Sequence, residues 1–315
     1  MMLRINDIDY DQRKVPWNGL GTDISKAGSI DEALNIAGLN WDVVQRQAAQ
    51  IMGTGEAVPV EGQYVNVRDD NGMPLGIVGA RYSIVQNIEA FSFMDSLIGE
   101  GVRFERAGMF KGGRAVWILA RLPERYIMLG NEISPYIVFI NSHDGTGGVR
   151  AAVTPIRVIC SNMLSLSMKR ALRTWSVRHS GDMMGKLDTA RDVLFKSFGY
   201  MDALKTEAME LNRIELTVNE IKSIVYELIP ITADMGERKQ DNRQDQRDDI
   251  LQRFYEAPDL MDMEDTGLKL LHAVSDHETH YEPLRKTGSF RENLFISGIN
   301  GMGLTDKARE LILSA

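Results

Sequence analysis

Apolar and polar positions change period several times along the chain, and each change marks an element. Ser29 with Glu32 three residues on is a capping signature, and Ala33, Leu34 and Ala37 follow at helical spacing, so a short helix is predicted up to Gly38. A second short helix is expected from Asn40 or Trp41. The period then drops to two. Gly62 to Arg68 alternates, Asp70-Asn-Gly-Met-Pro supplies turn chemistry, and Leu75-Gly-Ile-Val follows, which together predict a hairpin. Ile88, Phe91, Met94 and Leu97 return to helical spacing.

Two more hairpins are predicted. One joins Val102–Phe110 to Arg114–Leu122 through Lys111-Gly-Gly, and the other joins Tyr136–Ser142 to Gly148–Cys160 through His143-Asp-Gly-Thr-Gly-Gly. From Ser161 the spacing becomes helical: Leu164, Met168 and Leu172 recur at four, and 182–212 carries a long apolar stripe. Thr217 and Glu220 open a further capped helix, and the tail from Thr266 to Ala315 reads as two helices broken near Gly298–Gly303. The expected fold is α+β, a central antiparallel β-sheet of hairpins over about residues 60–160, with flanking helices on one face and a helical C-terminal part. Its divisions are an extended arm over 1–27, an α+β core over 28–235, a charged mobile segment over 236–253 and a helical region over 254–315. The charged segment holds five basic and five acidic side chains with almost no apolar ones, too little to fix a fold by burial, so a solvated helix or a mobile excursion is expected there.

Charge changes the picture more than composition does. The chain of 315 residues has a net charge of −8, yet Gly101 to Gly181 carries twelve Lys/Arg against four Asp/Glu, a net of +8, leaving −16 for the remainder. From Gly145 to Gly181 there are six cations and no carboxylate: Arg150, Arg157, Lys169, Arg170, Arg173 and Arg178. With Trp175 and Trp117 interleaved, this strip offers cations for phosphates and aromatic faces for bases, the two requirements of single-stranded nucleic-acid binding. The alternative is that these cations pair one by one with the acidic remainder. A single cysteine, Cys160, excludes an internal disulfide and any zinc site of several thiolates. No apolar run of membrane-spanning length and no cationic leader is visible, so the cytoplasm is expected and a membrane partner is not.

Other chemistry is weaker. His143 and Asp144 on a turn, or His272, Asp276 and His280 at helical spacing (with His277 beside them), could ligate a metal. A turn-forming role for the first pair and a polar helix end for the second are the preferred readings. Cys160 with His179 could form a thiol–imidazole pair, although a lone cysteine ending an apolar strand is usually buried and inert. Neither Gly19-Leu-Gly nor Lys111-Gly-Gly fits a nucleotide-binding loop, and no cofactor is expected. Pro16-Trp17-Asn18 reads as a docking arm, for its own domain or for a neighbouring subunit.

Several longer motifs, Pro16-Trp-Asn-Gly-Leu-Gly-Thr, Arg81-Tyr-Ser-Ile-Val-Gln-Asn, Ala107-Gly-Met-Phe-Lys-Gly-Gly-Arg-Ala-Val-Trp, Asn141-Ser-His-Asp-Gly-Thr, Thr154-Pro-Ile-Arg-Val-Ile-Cys-Ser-Asn and His179, resemble the phage- and plasmid-borne family called domain of unknown function 932, over roughly residues 10–300. The resemblance implies mobile-element gene content and no stated activity. A looser likeness of organisation, without a shared motif, is to phage single-strand annealing proteins. The expected function is single-stranded DNA or other nucleic-acid binding or annealing by a homo-oligomer, without catalysis. A metal-dependent nuclease or hydrolase, and a structural or defence-modulating phage assembly protein, are the alternatives.

Overall fold

The computed structural model describes residues 17, 19–98, 100–157, 162–163, 174–179, 192–281, 290–300 and 303–315. Its centre is an antiparallel sheet in which β1 (Thr22–Asp23), β5 (Arg103–Phe110), β6 (Ala115–Arg121), β8 (Asn131–Ser142) and β9 (Val149–Arg157) lie side by side. The far edge of β9 is shared: β10 (Asn162–Met163) pairs with its end and β11 (Thr174–Val177) with its beginning, while β7 (Tyr126–Met128) pairs with β8. A second, three-stranded sheet consists of β2 (Val43–Ile51), β3 (Ala57–Arg68) and β4 (Pro74–Gly79). The three predicted hairpins are β3–β4, β5–β6 and β8–β9.

Strands β6, β8 and β9 are near-continuous apolar runs because both faces of the sheet are covered. On one face Val116, Ile118, Phe139, Ala151 and Val153 pack with α1 (Ile30–Ala37), α2 (Asn87–Phe91) and Tyr200, Met201, Ala203 and Leu204 of α4 (Asp192–Asn212). On the other, Trp117, Leu119, Val138 and Ile140 meet Trp17 and Phe295 of α8 (Phe290–Asn300). Helices therefore cover both faces, where one was expected. The described part of the arm, Trp17 and residues 19–27, docks on its own chain, and the rest of it lies outside the described residues. Trp17 is fully buried edge-on to Tyr136 at 4.7 Å, and the Arg106 guanidinium donates to the carbonyls of Leu20 and Gly21. Short helix α3 (Met94–Ile98) completes the first half of the chain.

Three differences from the sequence reading have physical causes. The segment after Asn40 is strand β2, not a helix, because its side chains find a cross-strand partner in β3. The charged stretch 236–253, expected as a solvated helix or a mobile excursion, is the body of a regular helix, α6 (Glu237–Glu256), that buries Ile250, Arg253 and Phe254. Its arginines do what apolar side chains could not. Arg243 and Arg247 donate to the carbonyls of Pro230 and Ile229 at the end of α5 (Val218–Leu228), and Arg247 lies 4.3 Å over the Tyr226 ring. The described residues of the tail, thirdly, form three helices: α7 (Gly267–His280), α8 and α9 (Leu304–Ser314). The core of this helical part gathers Leu211, Ile221, Val225, Ile250, Phe254, Leu271 and Ile312, so it begins inside α4 instead of after residue 253. Among the described residues no helix is long and apolar enough to cross a membrane.

Candidate anion-binding cleft

A cavity of about 900 Å³ opens where three turns meet: the segment after β4, the β8–β9 turn and the end of β11. Each turn is fixed by its own sequence. In the β8–β9 turn Asp144 Oδ1 accepts from the Thr146 amide at 2.9 Å and from its hydroxyl at 2.7 Å, and Gly145 takes a positive φ of 79°. Gly148 leaves no room for a side chain, since a Cβ there would strike the Val177 carbonyl. That contact holds the turn against β11. Beyond β4, Ser83 and His179 bond in both directions. The Ser83 amide donates to the His179 carbonyl at 3.1 Å, and His179 Nδ1 lies 3.2 Å from the Ser83 carbonyl. A carbonyl only accepts, so Nδ1 carries the proton. Tyr82 stacks on the His179 ring, interplanar angle 4°, and its hydroxyl donates to the Ser142 carbonyl.

The lining is basic. Arg81, Arg150 and Arg178 come from the three converging segments, with Tyr82, Thr146, Ser176, His179 and the glycines between them, and among the described residues no carboxylate lines the cavity. Arg81 and Arg178 are exposed, and Arg150 is half-buried. Of the other cations of the central stretch, Arg103, Arg121 and Arg125 line a second, smaller cavity of about 330 Å³, where Arg125 pairs with Glu132 at 2.7 Å, and Arg106 holds the segment before β1. Burial holds the His179 imidazole below its usual range, so the positive charge here belongs to the arginines.

Beneath the cleft lies a buried polar cluster. His143 is fully buried, and burial, with His179 nearby, pushes its pKa down to about 3. Asn87 Nδ2 donates to the Leu39 carbonyl, so Asn87 Oδ1 accepts from His143 Nε2 at 2.9 Å and the ring is neutral. Asn66 donates to the His143 carbonyl at 2.7 Å and Asn141 to the Val85 carbonyl at 2.9 Å. These bonds tie the small sheet, α2 and β8 together directly under the glycine turn.

Of the residues singled out by charge, Arg150 and Arg178 meet in the cleft. The side chain of Arg157, and Lys169, Arg170, Arg173 and Cys160 altogether, lie outside the described residues. Neither tryptophan lines the cavity. Trp117 is 1% exposed, clasped between Phe110 and Phe295, because β6 is a central strand with both faces covered. Trp175 is in register with Ala151 and packs toward the apolar core, whereas Ser176, opposite Arg150, faces the cleft. The aromatic pair at the site is Tyr82 with His179. Charge counting missed Arg81 and Tyr82, which lie outside the basic stretch, although they open one of the longer motifs.

The metal candidates do not assemble. His143 turns inward to Asn87 while Asp144 serves the turn. Asp276, expected to share a face with His272 and His280, is bonded at 2.5 Å by Arg253, whose guanidinium stands where a cation would. His280 Nε2 is 3.8 Å from Asp276, and His277 bonds Asp249 at 2.6 Å. Among the described residues no three or more His, Cys, Asp or Glu side chains are grouped to hold a metal.

Comparison with known proteins places the motifs from Arg81 onward in one family. No curated protein and no solved structure matches the chain significantly. The family model described as "Domain of unknown function (DUF932)" matches residues 74–295, a span that contains Arg81, Tyr82, the glycine turn, Arg150, Arg178 and His179. Covering more than half of the chain, that match shows that the protein belongs to the DUF932 family.

Proposed function

We propose that the protein binds single-stranded nucleic acid through the arginine-lined cleft, as a non-catalytic protein of phage or plasmid DNA metabolism. The observation that carries the reading is that Arg81, Arg150 and Arg178 line one cavity, with no carboxylate among the described residues of its wall. Guanidinium groups match phosphate oxygens in planar, two-pronged pairs, and a phosphate ligand is the chemistry such a wall recognises. Tyr82, half-buried beside them, supplies the aromatic surface that sequence-tolerant strand binding uses. The acidic balance of the rest of the chain, net −8 overall, slows non-specific encounter and confines attraction to this cleft.

Fluorescence anisotropy with a labelled oligonucleotide over a salt series tests the proposal. Three phosphate contacts predict that log K falls against log salt with a slope of about −2, from roughly −0.7 per contact for a single strand. The Arg81→Gln, Arg178→Gln double variant should flatten that slope to about −0.7. Binding that does not respond to salt, or that survives the double substitution unchanged, removes the cleft from the model. Oligomerisation on the strand is part of the same proposal, and mass photometry with and without DNA reads it directly.

A further inference from the structure

We propose, resting on the strand-binding reading above, that the cleft recognises a terminal phosphomonoester of a strand in preference to its internal phosphodiesters. Three observations lead there. Cations that follow a strand interior are spread along a groove, one phosphate after another. Here guanidinium groups from three segments far apart in sequence, at positions 81, 150 and 178, line a single cavity of about 900 Å³. An internal phosphodiester brings one negative charge to such a cavity, whereas a terminal phosphomonoester brings about −1.5 to −2 near neutral pH and an additional acceptor oxygen.

The cavity wall is also built to stay in place. The Ser83–His179 pair closes one side in both directions, the Asp144–Thr146 bonds fix the glycine turn, and Gly148 lies against the Val177 backbone. Convergent cations held on a fixed wall suit a compact, doubly charged group. The remaining neighbours do not compete for it. His179 is neutral with Nδ1 committed to Ser83, and His143 below it is neutral too. Burial raises the Tyr82 phenol, keeping it uncharged, and the neighbouring Asp144 is engaged by Thr146.

The test uses one short oligonucleotide, internally labelled, in three forms: hydroxyl at both ends, 5′-phosphate and 3′-phosphate. One phosphorylated form is expected to bind roughly tenfold tighter than the hydroxyl form at pH 7.5, the scale of one added charge-assisted bond. That advantage should fade as pH falls through about 6, where the monoester loses its second charge and the arginines keep theirs. Arg178→Gln should abolish the advantage while leaving the hydroxyl-ended strand bound more weakly but measurably. Arg81→Gln repeats the comparison from the opposite wall, and far-UV circular dichroism confirms that both exposed-site variants fold. Equal binding of all three forms overturns the end-recognition proposal and leaves strand binding standing. Failure of every form to bind overturns strand binding itself. A nucleoside monophosphate that binds when no strand does would assign the cleft to free nucleotides and overturn both.

Discussion

A neutral imidazole sealed under a basic cleft fixes how the protein responds to acid. His143 is fully buried, with Nε2–H given to Asn87 and its pKa pushed from 6.5 down to about 3 by burial. The unfolded chain therefore takes up a proton on this ring below about pH 6.5, while the folded protein does not until pH falls to about 3. Stability from this group is full above the upper value and declines between the two, with a slope of up to about 1.4 kcal/mol per pH unit. His179, whose pKa burial also lowers, acts in the same direction. Urea unfolding followed from pH 7.5 to 4.5 should show stability falling with pH. His143→Phe should be less stable at pH 7.5, since Asn87 loses its donor, yet have a shallower pH slope. Equal slopes in the two proteins would mean that the ring takes protons in the folded state. The sequence showed this histidine only as half of a turn with Asp144. Its inward direction follows from strand alternation on β8, but its partner Asn87 is 56 residues away and carries no local signal.

At the level of elements, hairpins and capped helices were legible because their signals are local: the Asp70-Asn-Gly turn, the Ser29 cap on the Glu32 amide, and the Thr217–Glu220 capping box all stand where the sequence places them. The reading of 236–253 as a solvated helix or a mobile excursion overlooked its packing because burial was sought in apolar side chains alone. Arg253 is 2% exposed and joins Asp249 at 2.6 Å to Asp276 at 2.5 Å, and Asp249 also meets His277. This network seats α6 on α7. Burial works to raise the Asp249 carboxyl, but the bonds from His277 and Arg253 prevail and hold it below the usual range. Removing the guanidinium leaves buried carboxylates without their counter-charge, so Arg253→Met should destabilise by about 3–5 kcal/mol. Chemical denaturation checks this, and a loss under 1 kcal/mol would show that the pair is offset by its own desolvation. Replacing Asp249, Arg253 and Asp276 together with apolar residues of similar volume should recover much of the loss, because the cost lies in the unpaired charge.

Across the whole molecule, α4 joins the two cores. Tyr200, Met201 and Leu204 are buried with the sheet, and one turn further Ala208 and Leu211 belong to the helical core. The buried Glu207, bonded by Arg309 of α9, fastens the same turn from the helical side. This shared helix was invisible to a division drawn from composition, since a continuous apolar stripe does not say which residues face which core. Because the cleft is built entirely on the sheet side, damage to α4 should separate folding from binding. Lys205 lies at the crossover on the exposed face, so Lys205→Pro removes a helical hydrogen bond and clashes with the preceding turn without touching either core. The substitution should cost about 3 kcal/mol or more. Calorimetry should then resolve the single transition of the parent into two, with the helical core melting first, since it loses its link to the sheet. Oligonucleotide binding measured below the first transition should be retained, as Arg81, Arg150 and Arg178 are all carried by the sheets and their turns. If instead one transition persists at a lower temperature, the cores are coupled through more than α4, by the packing of Phe295 of α8 against Trp17 and Trp117 across the other face of the sheet.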